Sequence, residues 1–287
     1  MKFAVLSDIH GNRDAFDAVL KSAKDENVDY YIIAGDLITD FPDDVYVIRR
    51  SKELTKYVIK GNREDYVLKW IENVKEKHID KYNQYLSVKF AYENLKDSDI
   101  DYIRNLEDQI VIRVNDKYSI RVCHGSPFSM YDLICEEDNS KIIEKSLSFI
   151  NENILICGHT HMPFYKWIND KLIINCGSVG VHYSNNLCVS EYFILDINDT
   201  DINVEYKSVK YDFKNFENRV RNSELYATSP VWTDLTFKSI KESKDLNSEF
   251  VKEAINIAKN KGNFNNGLID NETWDLVYDT WKKLGKI

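Results

Sequence analysis

Two histidines separated by one residue follow directly after a short apolar run in the middle of the chain. The run covers residues 154–157, and Gly158, His159, Thr160 and His161 come next. This pattern predicts a buried strand that ends in a turn and presents two imidazole nitrogens in a cleft. Two imidazoles need partners to hold a metal ion, so the rest of the site must come from other parts of the chain.

Four other apolar runs end in a similar way, with a polar residue able to bind a metal and a glycine close by. These residues are Asp8 and His10 after 3–6, Asp36 after 31–34, Asn62 after 57–59, and His124 after 119–123. In an open α/β sheet, ligands gather at the carboxyl ends of the strands. We therefore expect two carboxylates, one amide and four imidazoles at one edge.

Length and residue usage limit the class of protein. With 287 residues, 43% of them hydrophobic, the chain suits one large domain or a domain with an appendage. Five cysteines without a Cys-x-x-Cys pair favour reduced thiols. No run approaches the ~18 apolar residues of a membrane span, and residues 1–7 lead straight into the proposed site, which disfavours a cleavable signal peptide. These features predict a cytoplasmic protein with no membrane partner.

The net charge also bears on the choice of partner. It is −9, from 38 basic and 47 acidic residues, which opposes non-specific binding to nucleic acid. Two bound dications opposed by two carboxylates would nevertheless leave the site itself positive. A small phosphate-bearing substrate is therefore compatible with the sequence, and nucleic acid is not expected as a non-specific partner.

The order of predicted elements indicates an α/β fold of two packed mixed β-sheets flanked by helices, an αββα arrangement. The first 62 residues alternate strands and helices, as parallel crossover units do, whereas the second half is rich in hairpins. The expected helices are 13–26, a short one after Pro42, a helical region at 64–107 and 139–150; the expected strands are 57–59, 108–114, 118–123, 164–168, 171–176, 191–197 and 202–210, besides those before the ligands. Two sheets with helices outside accommodate both halves.

Beyond residue 211 the hairpin pattern stops and helical periodicity begins. Apolar residues share one helix face within 251–258 and another within 274–284. We therefore divide the chain into a domain of residues 1–211 and a helical C-terminal extension of residues 212–287. Because an extension of this size is too small for an independent core, we expect it to pack on the main domain.

The motifs, taken in order, resemble those of the calcineurin-like metallophosphoesterase superfamily, and most of all its small prokaryotic phosphodiesterase-type members. The matching blocks are Asp8-Ile9-His10, Gly35-Asp36, Gly61-Asn62-Arg63-Glu64, His124-Gly125 and Gly158-His159-Thr160-His161. The likeness spans about 1–211 and leaves out the helical extension. It implies a dinuclear-metal-dependent phosphoesterase in which a metal-bridging hydroxide attacks phosphorus in line with the leaving group.

The same resemblance implies which residues hold the metals. One ion takes Asp8, His10 and His161, the other takes Asn62, His124 and His159, and Asp36 bridges the two. Asn62 and His124 would also act in catalysis. A mixed set of nitrogen and oxygen donors suits two divalent transition metal ions, namely manganese, iron, zinc or nickel, better than magnesium or calcium.

Arg63 departs from the family pattern. Many relatives carry a histidine here that can protonate the leaving alcohol, and an arginine cannot give up its proton near neutral pH. Its planar fork can instead grip phosphate, so we predict that Arg63 is a catalytic, substrate-binding residue and that Glu64 orients it. In the alternative interpretation Arg63 folds outward into an ion pair with Glu64. Lacking an acid, the site favours acidic leaving groups in phosphodiesters or pyrophosphate-type bonds.

A glycine-rich loop at 177–180 resembles one that lies near the metals in relatives. We predict that Gly177 and Ser178 contact the substrate, although a plain tight turn explains the sequence as well. His182, close behind, is a candidate for the missing acid, but a solvated loop histidine is the commoner case.

Two other functions compete with the phosphodiesterase interpretation. One is a phosphomonoesterase acting on nucleotides or phosphoproteins, and the other is a metal-bound scaffold without activity. The scaffold would be expected to lack ligands, yet all seven are present in this sequence. A homo-oligomer is compatible with the chain.

Overall fold

The computed structural model describes residues 1–136, 140–184 and 188–287, and it contains two β-sheets. The strands are β1 (Lys2–Leu6), β2 (Tyr30–Ile33), β3 (Gln109–Arg113), β4 (Ser119–Cys123), β5 (Ile154–Cys157), β6 (Phe164–Ile168), β7 (Lys171–Asn175), β8 (Val189–Ile197) and β9 (Ile202–Lys210). One sheet has the order β2-β1-β8-β9 and the other β3-β4-β5-β7-β6. Both are mixed, because β1–β2, β4–β5 and β5–β7 are parallel and the other pairs are antiparallel.

Helices cover the outer faces of the sheets and form the C-terminal part. They are α1 (Arg13–Asp25), α2 (Asp44–Leu54), α3 (Asn62–Lys77), α4 (Leu86–Asn94), α5 (Asp97–Asn105), α6 (Ser140–Phe149), α7 (Phe213–Arg221), α8 (Glu224–Thr228), α9 (Pro230–Glu242), α10 (Leu246–Asn260) and α11 (Asn271–Lys283). The predicted helix 139–150 matches α6, except that Asn139 lies outside the described residues. No helix in the described ranges has the length and apolarity needed to cross a bilayer.

The core lies in three layers that follow the alternation of side chains along the strands. Phe3 and Val5 of β1 face β4 of the other sheet, where they meet Val122. Leu6, one position further along β1, points to the opposite side and packs with Phe16 of α1. A third apolar layer lies between the second sheet and α6. The predicted αββα fold is therefore confirmed.

The expected third strand at 57–59 is much shorter than predicted. It forms a single parallel bridge, between Val58 and Ile33, with backbone bonds on either side from Ile33 N–H to Tyr57 and from Ile59 N–H to Ile33. Gly61 and the start of α3 follow two residues later, so the chain leaves the sheet edge almost at once. This early exit brings Asn62 to the sheet edge on a helix N-terminus.

The C-terminal helices pack on the main body, as expected from their size. Phe216 of α7 and Phe237 of α9 enclose Phe41, and the three rings lie 4.8 to 5.9 Å apart. Side-chain amides of Asn83 and Gln84 add hydrogen bonds to Asp275 and Gly267. The division of the chain at residue 211 stays a prediction, since residues of both parts are in contact with one another.

Candidate active site

Five strand-end segments bring the seven predicted ligands to one edge. Asp8 follows β1, Asp36 follows β2, His124 follows β4, and His159 follows β5. Backbone hydrogen bonds tie these loops together: Asp8 N–H donates to Gly35 O at 3.1 Å, and Gly158 N–H donates to His124 O at 2.8 Å. The apolar runs therefore position the ligands, as the pattern of strand ends predicts. We call this group of seven residues the strand-end centre.

The backbone at most of these ligands is in an unusual conformation. Positive φ angles occur at Asp8 (56°), His10 (54°), Asp36 (53°), His159 (68°) and His161 (58°). Each non-glycine residue held in this left-handed region costs on the order of 1–3 kcal/mol, and such residues concentrate at functional sites. Five of them in one cluster indicate that the fold orients these side chains for a purpose other than stability.

The first group of ligands is Asp8, His10 and His161, all buried. The two Nε2 atoms lie 3.1 Å apart, and Asp8 Oδ1 lies 3.0 Å from that of His161 and 3.6 Å from that of His10. Three donor atoms thus converge on one point. This is the set that the family resemblance assigns to one metal.

The second group is Asp36, His124 and His159, with Asn62 beside it. His124 Nε2 lies 3.3 Å from Asp36 Oδ2 and 2.9 Å from Asn62 Oδ1. Asp36 Oδ2 also lies 3.8 Å from His10 Nε2 of the first group. One carboxylate oxygen therefore faces imidazoles of both groups, which is the position that a bridging ligand requires.

Two glycines allow the loops to approach this closely. A Cβ on Gly61 would lie 2.2 Å from Asp36 Oδ1, and a Cβ on Gly158 would lie 2.1 Å from Ser7 Oγ. Neither position has room for a side chain, so the glycines beside the ligands are required by packing at the site.

The other ring nitrogen of three histidines faces an oxygen atom. His124 Nδ1 lies 2.7 Å from Ala34 O and His161 Nδ1 bonds Val181 O, while His10 Nδ1 lies 3.1 Å from Asp40 Oδ2 as an ion-pair contact without hydrogen-bond geometry. Such contacts fix the ring and leave the lone pair of Nε2 free to bind a metal ion. Among these partners only Asp40 contributes a side chain, and sequence reasoning had not identified it.

Charge within the centre is unevenly shared. Burial lowers the pKa of His10, but the carboxylates of Asp40, Asp8 and Asp36 outweigh it and raise that pKa to about 10. For His124, too, nearby carboxylates outweigh the effect of burial; Asp36 contributes most, and the pKa of His124 is raised to about 9. Burial together with the positive His124 lowers the pKa of His159 to about 4. The buried carboxylates therefore favour positive charge at the strand-end centre.

The residues of the strand-end centre suit a pair of cations. The Nδ1 atoms of His10 and His161 both face oxygen atoms, which favours a proton on each Nδ1; the two Nε2 atoms, 3.1 Å apart, then direct lone pairs at one point, where a cation would be stabilised. Asp8 Oδ1 is buried and accepts no hydrogen bond within the described ranges. The donors are imidazole and oxygen without thiolate, which is the chemistry of divalent transition metals.

Arg63 lies beside this centre, but Glu64 does not orient it as predicted. Its Nη2 donates to Asp40 Oδ2 at 3.0 Å, and its backbone N–H donates to Asp36 Oδ1 at 2.8 Å. Glu64 instead accepts backbone N–H bonds from Gly61 and Leu37 at 2.8 Å each. Both predictions about Glu64 were wrong, because the third residue of a helix points back to the N-terminus and caps it.

Trp232 of α9 completes this arrangement from the C-terminal extension. Its indole N–H donates to Asp40 Oδ1 at 2.7 Å, and its ring lies 5.6 Å from the Arg63 guanidinium. Asp40 thus binds His10, Arg63 and Trp232 at once. Neither Asp40 nor Trp232 stands in a motif; the one sequence signal is that Asp40 follows closely on Gly35-Asp36.

The loop at 177–180 has a structural role. Ser178 is fully buried, its hydroxyl donates to Asp8 O at 2.7 Å, and it accepts from Val181 N–H at 2.8 Å. Gly177 has a φ of 68° and donates to Asn175 Oδ1. Substrate contact by Gly177 and Ser178 stays a prediction. His182 is fully buried, so the expectation of a solvated loop histidine was wrong.

A model of the calcineurin-like phosphoesterase superfamily domain matches residues 1–200. The chain therefore belongs to the calcineurin-like phosphoesterase superfamily, whose members are dinuclear metal-dependent phosphoesterases. It is a hydrolase of phosphoric esters, and the two groups of buried ligands are its candidate metal sites.

Individual relatives are distant. An uncharacterized protein of Methanocaldococcus jannaschii is 24% identical over 238 residues, which is 76% of this chain and 92% of that protein. The symmetrical bis(5'-nucleosyl)-tetraphosphatase of Buchnera aphidicola is 29% identical over 152 residues, 52% of this chain and 53% of that enzyme, so the chain matches about half its length. A metallophosphoesterase from Sphaerobacter thermophilus, at 20% identity, has the same fold with a TM-score of 0.63, over 77% of this chain and 93% of that one.

Proposed function

We propose that this protein is a dinuclear-metal-dependent phosphodiesterase acting on small molecules, at phosphodiester or pyrophosphate-type bonds. The observation that carries the proposal is the position of Asp36, whose Oδ2 faces His10 of one ligand group and His124 of the other. Two divalent ions, of manganese, iron, zinc or nickel, would supply Lewis acidity toward water and the phosphoryl oxygens.

The chain's own residues divide the remaining work. Asp8, His10 and His161 form one ligand set, while Asn62, His124 and His159 form the other. The imidazoles of His124 and His161 are held through their Nδ1 atoms, so they keep their orientation when charge develops on the substrate. Gly177 and Ser178 are proposed to line the phosphate side.

Arg63 sets the preference for the leaving group. Its guanidinium is 17% exposed and fixed by Asp40, and nearby carboxylates raise its pKa further. A group with such a pKa binds anionic oxygens but gives no proton to a departing alkoxide. Esters whose leaving groups are stable as anions, and pyrophosphate-type bonds such as the tetraphosphatase relative's name implies for that enzyme, suit this site best.

The test compares two aryl esters on manganese-loaded protein: bis(p-nitrophenyl) phosphate and p-nitrophenyl phosphate. We expect kcat/KM for the diester to exceed that for the monoester by at least about tenfold. The guanidinium and two metal ions can balance the single negative charge on the non-bridging oxygens of a diester, and the site has no proton donor. Faster monoester cleavage would favour the phosphomonoesterase alternative. Tight metal binding without turnover of either ester would favour the inactive scaffold.

A metal-content measurement belongs to the same experiment. Two equivalents of metal per chain are expected by elemental analysis, and one or none would contradict a dinuclear centre. A cytoplasmic location and any self-association stay predictions from the sequence.

A further inference from the structure

Beside the strand-end centre lies a cavity of about 440 Å³ that none of the seven ligands lines. Its walls come from α3, from residues 79–88, and from the C-terminal helices; they include Arg63, Tyr66, Lys69, Trp232 and Ile255. We call this cavity the lateral pocket. Its volume lies within the roughly 300–1,000 Å³ typical of small-molecule sites.

One side chain, that of Arg63, borders both the lateral pocket and the strand-end centre. Arg63 lines the pocket and at the same time lies 3.0 Å from Asp40 and 4.0 Å from Asp36. Its Nε is buried with no hydrogen-bond acceptor among the described residues. A phosphoryl group at the centre and an organic group in the pocket would therefore meet at this guanidinium.

Charge in the pocket is opposite to that of the whole chain. Arg63 and Lys69 are the charged side chains among its described lining residues, and no carboxylate belongs to them. Lys69 also pairs with Asp65 at 2.7 Å, which weakens its contribution. Arg63 is likewise paired with Asp40, so the lining contributes a partly compensated positive charge at the border with the centre, where the phosphate of a ligand would lie.

The other lining residues favour a flat ring with polar edges over an alkyl chain. Five are aromatic and three carry amides: Tyr66, Trp70, Tyr85, Trp232 and Trp274, with Asn73, Gln84 and Asn266. Aromatic walls stack on planar rings, and amide atoms that are not engaged within the protein can bond ring nitrogens and exocyclic groups. The walls are preassembled, since Gln84 donates to Gly267 O at 3.1 Å and accepts from Ile269 N–H at 2.7 Å.

From these observations we propose that the lateral pocket binds the base of a nucleotide substrate, whose phosphate lies at the strand-end centre. The inference rests on the proposed function, because it places the phosphoryl group at the two ligand groups. It also gives the C-terminal extension a role: α9 and α10 select the organic part of the substrate.

Binding of three phosphomonoester probes to the metal-loaded protein tests the pocket, and each recovered probe is checked for turnover. The probes are adenosine 5'-monophosphate, ribose 5-phosphate and decyl phosphate, measured by equilibrium dialysis. Because stacking of one base is worth about tenfold or more in affinity, we expect adenosine monophosphate to bind at least about tenfold tighter than ribose 5-phosphate. Equal affinities would overturn the proposal, and so would tighter binding of decyl phosphate.

Ile255→Trp, which fills the pocket from α10, should abolish the preference for the base. Asn256→Trp is the matched control, since the next residue of the same helix is exposed and outside the lining, and it should keep the preference. If Ile255→Trp does not fold by circular dichroism, the smaller change Val251→Phe replaces it. A preference that survives pocket filling would contradict this location.

The two proposals fail separately. Hydrolysis of the aryl diester together with no preference for adenosine monophosphate would remove the lateral pocket and leave the phosphodiesterase. A base preference lost on pocket filling, in protein that hydrolyses no ester, would support the pocket and overturn the phosphodiesterase.

Discussion

The strand-end centre and the lateral pocket are neighbours built on different principles. The centre consists of loops that leave strands, with five of the seven ligands in left-handed backbone and backbone hydrogen bonds between the loops. The pocket consists of helix faces joined by amide hydrogen bonds and aromatic contacts. Under the two proposals, catalysis depends on the loops that leave the sheets, and the helices around Arg63 select the organic part of the substrate.

The largest effect should come from removing the carboxylate shared by both ligand groups. Asp36→Asn should lower kcat for the aryl diester by about 10³-fold or more, because the amide keeps the shape but loses the charge that balances two cations. Metal content should fall in the same protein. The preference for adenosine monophosphate over ribose 5-phosphate should change little, which would separate the two regions.

Asp25→Asn, at an exposed position of α1, is the control for Asp36→Asn. Activity that persists unchanged in Asp36→Asn would mean that a contaminant hydrolyses the ester or that Asp36 does not bridge.

A smaller effect is expected where the two regions meet. Arg63→Lys keeps the charge but loses the planar fork that reaches Asp40 and the substrate, so kcat/KM should fall on the order of 10–100-fold. Arg104→Lys, an exposed arginine on α5, should leave it unchanged. If Arg63→Lys behaves as wild type, Arg63 serves only as a positive charge.

The smallest effect tests how far the C-terminal helices reach into the centre. Trp232→Phe removes the donor to Asp40, whose other oxygen faces His10, and should weaken metal binding by about tenfold. Titration of chelator-treated protein with manganese measures this. Trp167→Phe, at a tryptophan 46% exposed on β6, should not weaken it. Equal metal affinities of both variants and the wild type would show that Asp40 needs no help from α9.

The contrast between the two regions also explains what the sequence could predict. Each ligand of the strand-end centre follows an apolar run, so strand periodicity and local motifs were enough to find it. Asp40 and Trp232 are 192 residues apart in sequence and carry no motif, so their contact depends on how the C-terminal helices dock. The way helices dock depends on how the shapes of many side chains fit together. No periodic pattern in a single sequence reports that fit.

Errors in the prediction had local causes. Glu64 follows Arg63 in sequence, which suggested an ion pair, but helix geometry turns the Glu64 side chain back to the backbone of residues 36, 37 and 61. The run at 57–59 has the apolarity of a strand, yet the chain continues into α3 after a single bridge. In both cases the start of α3 outweighed the neighbouring pattern.

The three contacts of Asp40 have a practical consequence for engineering. A chimera that exchanged residues 212–287 for the tail of a relative would remove the indole that holds this carboxylate, and with it one restraint on His10. The segment around Asp40 and the α9 helix should therefore be transplanted together whenever substrate preference is to be changed and metal binding is to be kept.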